Sequence, residues 1–122
     1  MQPIRIIFAA GGAFALPSLS ALMDAQFDVV AVVSQPDRAA GRGRRLTPTP
    51  VAQFALDRKL NLIRTADINS EVLPEADLMV VIAFGQKISH IVVERPRWRS
   101  INLHASLLPR YRGAAPINWA IL

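Results

Sequence analysis

The sequence predicts an α/β fold, a Rossmann-like open parallel sheet with helices on both faces. Three essentially apolar runs, Arg5–Ala10, Val29–Val33 and Leu78–Phe84, are typical of strands that are buried on both faces. Segments with helical spacing lie between these runs, and strands that alternate with helices favour parallel pairing through right-handed crossovers. We therefore expect the spatial strand order 3-2-1-4-5.

The remaining elements follow from spacing and from helix-start signals. A first helix is predicted over Leu16–Ala25, with Pro17 in its first turn. A second helix is predicted to follow Thr49, an N-cap residue with Pro50 after it, and to end near Leu60. The other predicted elements are a long loop over Ser34–Pro50, a short strand at Leu62–Ile63, a brief helix capped by Asn69 or Ser70, a helix over Ile88–Val93, a last strand over Ser100–His104 and a helix that begins near Ala114.

The composition argues against several classes of protein and site. With 122 residues, 52% of them hydrophobic, the chain amounts to one domain at most. No stretch approaches the ~18 apolar residues of a membrane span, and the chain enters a strand too soon for a signal peptide, so a cytoplasmic protein is expected. The lack of cysteine and the presence of only two histidines argue against a metal centre. No motif supports binding of a dinucleotide or of ATP phosphates.

The positive charge is concentrated in one loop. The net charge is +5, and four arginines lie within the loop after the second strand: Arg38, Arg42, Arg44 and Arg45. Glycines on both sides of Arg42 allow the backbone to adapt to a partner, and clustered arginines suit the phosphates of a nucleic acid. The alternatives are a solvated loop without a partner and a biased genome composition.

A polar pair marks the end of the last predicted strand. Ser100, Asn102 and His104 are spaced two residues apart, so they share one face of a strand. Two hydrogen-bonding side chains thus lie together at the carboxyl end of a parallel strand, where open α/β sheets bind their ligands. A core histidine held by a neighbour is the alternative. We favour Asn102 and His104 as candidate catalytic residues.

The same segment resembles a known family. Asn102–Pro109, followed by Arg112–Ile117, is similar to the active-site strand and loop of the formyltetrahydrofolate-dependent formyltransferases. Ala105 stands where the family usually has glycine, a change between small residues. The resemblance implies a Rossmann-like formyltransferase domain.

Two further segments carry the resemblance. The first turn, Phe8–Ala15, matches the family at its ends, but Ala10–Gly12 replaces the usual Gly-Thr-Pro. We expect its glycines to serve a tight turn with positive φ. Val80–Gly85 resembles the strand and turn that border the folate pteridine in the family, although Ile88-Ser89 replaces a Leu-Pro pair.

The resemblance implies a mechanism and a cofactor. Transfer of a formyl group from 10-formyltetrahydrofolate to an amine passes through a tetrahedral oxyanion, which needs hydrogen-bond donors and a group that moves protons. Asn102 would be a neutral donor, and His104 a donor and proton relay. The residues implied to bind the folate are Phe84, Gly85, Ser106, Leu107, Leu108 and Pro109. No metal ion is implied.

The arginine loop indicates the acceptor. Gln35–Arg38 and Gly41–Pro50 resemble the tRNA-contacting loop of the tRNA-specific members, whereas sugar and purine-pathway members lack this insertion. The resemblance therefore implies initiator methionyl-tRNA as the partner, bound by the four loop arginines. An amino-sugar nucleotide acceptor remains an alternative, as does an inactive truncated module that binds folate or RNA.

The resemblance covers Ile4–Leu122, and complete members of the family are much longer. Residues 1–122 are therefore expected to form a partial N-terminal catalytic domain that lacks the rest of the sheet and the C-terminal β-barrel. The family's catalytic aspartate lies further downstream, and no acidic residue of this chain follows Glu94. We expect the chain alone to be inactive.

Overall fold

The fold is organised around a twisted sheet with one strand, β1, at its centre. The computed structural model describes residues 2–105 and 117–121. The strands are β1 Arg5–Ala10, β2 Asp28–Ser34, β3 Arg38–Ala40, β4 Arg45–Thr47, β5 Leu62–Arg64, β6 Leu78–Ile82, β7 Ser100–Ala105 and β8 Ile117–Ile121. The α-helices are α1 Leu16–Asp24, α2 Pro50–Asp57 and α3 His90–Glu94, and short 3₁₀ turns span Ala13–Ala15 and Ile68–Ser70.

The order of the main sheet is β5-β2-β1-β6-β7-β8. The first five of these strands are parallel, and their order is the predicted 3-2-1-4-5. Strand β8 pairs antiparallel to β7, with His104 opposite Asn118. The helix predicted near Ala114 is therefore wrong for Ile117–Ile121. Apolar residues at alternate positions of that segment also fit a strand, and the open edge of β7 offers backbone partners to it.

Alternation along β1 builds two cores, one on each face of the sheet. On one face, Phe8 packs with residues of α1 and α2, among them Leu19 and Val51. On the other face, Ile7 packs with Ile68 and the residues that follow it, and with α3. Both faces of β1 are therefore covered, which explains the unbroken apolar run of its sequence. The prediction of helices on both faces is confirmed.

The long loop predicted between β2 and α2 contains a small hairpin. Strands β3 and β4 pair antiparallel, with Ala39 opposite Leu46. Gly41, Gly43 and Arg44 have positive φ in the turn between them. The two glycines thus permit a tight turn that most residues adopt only with strain. We call residues 38–47 the arginine hairpin.

The helix ends agree in part with the predictions. Thr49 caps α2, its hydroxyl oxygen accepting a hydrogen bond from the Ala52 N–H at 3.0 Å. The turn predicted to be capped by Asn69 or Ser70 is capped by Asp67 instead. Helix α3 begins two residues later than predicted, after its N-cap Ser89. Within the described part of the chain, no helix has the length and hydropathy of a membrane-spanning segment.

Candidate active site

The centre of the candidate site is the turn that follows β6, residues 83–86. Ala83 and Gly85 both have positive φ, and the backbone bends at Ala83, directly after the strand. Phe84 is buried in the core between them. The Gln86 side chain holds the turn to the neighbouring segment, donating to the Thr65 carbonyl at 2.8 Å and accepting from the Ile68 N–H at 2.9 Å. These two hydrogen bonds tie the turn to the segment between Thr65 and Ile68.

A cavity of about 470 Å³ lies on one side of this turn, at the carboxyl ends of β6 and β7. We call it the β6–β7 cavity. Asn102 reaches it from β7, where the residue is in register with Val81 of β6. The lining comprises Val81, Ala83, Phe84, Gly85, Gln86, Ile88, His90, Val93 and Asn102. The structure therefore brings Asn102 together with Phe84 and Gly85, three residues predicted separately from the sequence.

His104 occupies the expected position two residues further along β7. The strand predicted over Ser100–His104 is confirmed, although the described side chains end at Leu103. Four predicted folate-binding residues lie outside the described part of the chain: Ser106, Leu107, Leu108 and Pro109.

A wider crevice of about 780 Å³ lies on the other side of the turn 83–86. We call it the hairpin crevice. Its walls come from the turn after β1, from the residues after β2, and from Arg38, Ala40 and Thr47 of the arginine hairpin. β1 and β6 are adjacent in the sheet, at the point where the order of the strands reverses. Ligands of open α/β sheets bind at such a switch point.

Gln35 connects the ends of three strands across this crevice. It follows β2 directly, and its side-chain N–H₂ donates a hydrogen bond to the Phe84 carbonyl in the turn after β6. A Cβ added to Gly11, in the turn after β1, would collide with the Gln35 side-chain oxygen. A larger residue at position 11 would therefore displace the Gln35 side chain from its place in the crevice. The positive φ predicted for the glycines of the first turn is wrong, since neither Gly11 nor Gly12 has one.

The predicted tRNA-binding residues Arg38, Arg42, Arg44 and Arg45 all lie on the arginine hairpin, and all are exposed. Among the side chains that the structure describes, none of the four takes part in an ion pair. The nearby Asp37 is already engaged by Arg64, whose guanidinium lies 3.0 Å from its carboxylate. The hairpin thus presents uncompensated positive charge at the rim of the crevice.

Gln86 and His90 were not predicted as site residues, and Gln35 was singled out only as part of the loop segment Gln35–Arg38. A signal existed for Gln35, because it directly follows a buried strand at the edge where ligands bind. His90 is the first residue of α3 and lines the β6–β7 cavity with an almost fully exposed imidazole, 3.8 Å from the Glu94 carboxylate. No group of three potential metal ligands occurs among the described residues. The cavity thus combines apolar walls with amide and imidazole groups.

The chain is similar to known formyltransferases over nearly its whole length. A sequence profile described as formyl transferase matches residues 4–122. The methionyl-tRNA formyltransferases of Pseudomonas fluorescens (strain Pf0-1) and Hydrogenovibrio crunogenus are 47% and 45% identical over 98% of this chain. Each match covers 40% of the relative, so the chain spans about 40% of the length of these proteins.

Solved structures with the same fold are more distant in sequence. Glycinamide ribonucleotide transformylase 1 from Geobacillus kaustophilus superimposes with a TM-score of 0.57 at 14% identity, over 94% of this chain and 65% of that chain. Phosphoribosylglycinamide formyltransferase from Coxiella burnetii gives a TM-score of 0.54 at 22% identity, over 90% of this chain and 55% of that chain. At these identities the similarity establishes the fold alone.

Proposed function

The chain belongs to the formyl transferase family, and we propose that it is the N-terminal part of an enzyme that formylates initiator methionyl-tRNA with 10-formyltetrahydrofolate. The observation that carries this proposal is the pairing of two neighbouring features. Asn102 lines a cavity at the carboxyl ends of the strands, and the arginine hairpin walls the adjoining crevice. The proposed enzyme acts in the cytoplasm, where aminoacylated tRNA is used.

The β6–β7 cavity is the proposed site of the folate. Its volume of about 470 Å³ lies within the ~300–1,000 Å³ usual for small-molecule sites. Val81, Ile88 and Val93 offer apolar walls to a flat ring system, while Asn102 supplies an amide group that can fix its orientation. By the family resemblance, Ser106–Pro109 completes the binding of the folate.

The chemistry assigned to the pair on β7 follows from the reaction. The acceptor amine attacks the formyl carbon, the bond from that carbon to the folate nitrogen breaks, and the carbonyl oxygen carries negative charge in between. Asn102 donates a hydrogen bond to this oxygen, a contact that strengthens as the charge develops. His104 takes the proton lost by the amine and returns one to the folate nitrogen. A downstream aspartate, which this chain lacks, is proposed to orient the histidine.

The two cavities give the donor and the acceptor separate approaches to one place. The turn 83–86 forms a wall of both the β6–β7 cavity and the hairpin crevice. With folate on the β7 side, the acceptor enters from the side of the arginine hairpin. The hairpin then binds tRNA phosphates through Arg38, Arg42, Arg44 and Arg45, while the aminoacyl end reaches toward the turn. This arrangement holds the reacting groups together, which lowers the entropic part of the barrier.

Removing one hairpin arginine tests the proposed acceptor. The Arg42→Ala variant of the full-length protein is expected to bind tRNA more weakly and to bind folate normally. Each phosphate contact contributes ~0.7–0.9 to the slope of log affinity against log salt concentration, so the slope should flatten by about that amount. The measurement is tRNA affinity at several salt concentrations, with folate affinity measured in parallel.

Arg58→Ala is the matched control, because Arg58 is an exposed arginine at the far end of α2, stacked on Phe54. It should leave both affinities unchanged. An unchanged slope and affinity in Arg42→Ala, and in a variant without all four hairpin arginines, would leave the hairpin as solvated charge. An amino-sugar nucleotide would then become the better acceptor.

A further inference from the structure

A third cavity lies at the opposite end of the strands from the candidate active site. It has a volume of about 340 Å³ and opens at the amino ends of β1 and β6. At a rise of ~3.3 Å per strand residue, the amino and carboxyl ends of β1 are about 20 Å apart, so the cavity and the candidate active site are separated by about that distance along the strand. Its floor is apolar, and its rim carries arginines. The lining comprises Arg5, Ile7, Leu73, Pro74, Glu75, Ala76, Met79, Val92, Arg95, Pro96 and Arg97.

The arginine-rich side of this cavity is held in place by the backbone. The Arg97 N–H donates to the Ala76 carbonyl at 3.1 Å, and the Trp98 N–H donates to the Asp77 carbonyl at 2.7 Å. Within the same segment, the Arg99 N–H donates to the Pro96 carbonyl at 2.8 Å. The backbone of segment 95–99 is thus ordered before any ligand arrives, which reduces the backbone part of the ordering cost of binding.

Most of the positive charge around this cavity is not neutralised by neighbouring acids. Arg5 is engaged, because its backbone N–H and guanidinium both bond to Asp77, which holds the pKa of that carboxyl below its usual value. Within the described part of the chain, neither Arg95 nor Arg97 forms an ion pair, although Arg97 adds, after Arg5, to the lowering of the Asp77 pKa. Among the described residues that line the cavity, the one acid is Glu75, which is almost fully exposed and lies 3.9 Å from Arg5.

An exposed indole lies beside these arginines. Trp98 is 51% exposed, and the Arg97 guanidinium lies 5.6 Å from the centre of its ring. Arg99, the next residue, is exposed as well. Arginines next to an open aromatic ring are the combination with which proteins bind single-stranded nucleic acid, since phosphates pair with the arginines and bases stack on the ring.

We propose that this edge of the molecule is a second binding site, for a nucleotide unit of single-stranded RNA or for a free nucleotide. The phosphate pairs with Arg95 and Arg97 at the mouth of the cavity, and the base stacks on Trp98. An acidic peptide would use the arginines but would leave the indole exposed, so the aromatic ring favours a nucleotide. The site is remote from the arginine hairpin and does not depend on the function proposed above.

The test measures RNA binding in a protein whose arginine hairpin has lost its arginines. The protein is the full chain in which Arg38, Arg42, Arg44 and Arg45 are alanine, and the probes are a fluorescein-labelled oligoadenylate and AMP. In this background, Trp98→Ala should weaken oligoadenylate binding about fivefold or more, the effect expected for loss of one stacked base. Trp98→Phe should keep most of the affinity. Arg95→Ala combined with Arg97→Ala should reduce the salt slope by about 1.4, or ~0.7 per single-strand contact.

Arg58→Ala is again the matched control, since it removes an arginine stacked on an aromatic ring elsewhere on the surface. It should change nothing. If AMP binds and Trp98→Ala abolishes that binding, a free nucleotide is sufficient to occupy the site. If oligoadenylate binds and AMP does not, the ligand of the site is an RNA strand. Equal RNA affinity in Trp98→Ala and its background protein would overturn the proposal, as would equal binding of an acidic peptide. A melting curve for each variant separates loss of the site from loss of the fold.

Discussion

Replacing Asn102 with alanine in the full-length protein is expected to lower kcat by about 10²–10³-fold, the usual effect of losing one oxyanion donor. Asn102 lines the β6–β7 cavity, where the proposed formyl donor is bound. Its contribution is larger in the transition state than in the bound substrate, so the KM values should change little. Steady-state kinetics with folate and acceptor varied in turn would measure both parameters.

His104→Ala is expected to lower kcat by a similar factor, because it removes the group that moves the proton. Ser100→Ala is the matched control on the same strand. The Ser100 hydroxyl is buried and donates to the Val93 carbonyl at 2.8 Å, so its loss should lower stability and leave kcat nearly unchanged. If the Asn102 and His104 variants kept near-normal turnover and lost only thermal stability, the pair would have a structural role.

Replacing Phe8 with alanine is expected to reduce the free energy of unfolding by about 3–5 kcal/mol. Phe8 is 0% exposed at the middle of β1, where it packs against residues of both α1 and α2. The truncation removes buried apolar surface and leaves a cavity that the rigid neighbouring strands cannot close. Total stabilities of domains are only ~5–15 kcal/mol, so the loss is a large share. Urea denaturation followed by circular dichroism would measure it.

Val72→Ala provides the comparison, because Val72 is 90% exposed and lies outside the core. Its effect should stay within about 0.5 kcal/mol. A Phe8→Ala protein as stable as Val72→Ala would mean that β1 is not the centre of the folded core.

The sheet could be predicted because strands that are buried on both faces consist of continuous apolar runs in the sequence. The apolar runs of β1, β2 and β6 match strands that are covered on both sides, and their alternation with helices indicated parallel pairing in the observed order. Thr49 and Pro50 likewise marked the start of α2 with local chemistry alone. Such features depend on neighbouring residues and on hydrophobic pattern, which a single sequence displays directly.

The features that were missed depend on contacts between distant segments. Ile117–Ile121 fits both a helix and a strand in sequence, and only the free edge of β7 decides for the strand. Gln35 becomes important because Gly11 and Phe84 approach it from two other strand ends. Asn102 could be singled out from the sequence because it lies at a strand end, where the topology brings ligand-binding groups together, and the structure places it at the wall of the β6–β7 cavity.

The most direct test of the proposed function is a comparison of acceptors. The full-length protein is supplied with 10-formyltetrahydrofolate labelled in the formyl carbon, and with initiator methionyl-tRNA or an amino-sugar nucleotide in separate reactions. The proposal predicts label on the methionyl amino group and none on the sugar. Label on the amino-sugar nucleotide, or no transfer to either acceptor by a folded protein, would contradict it.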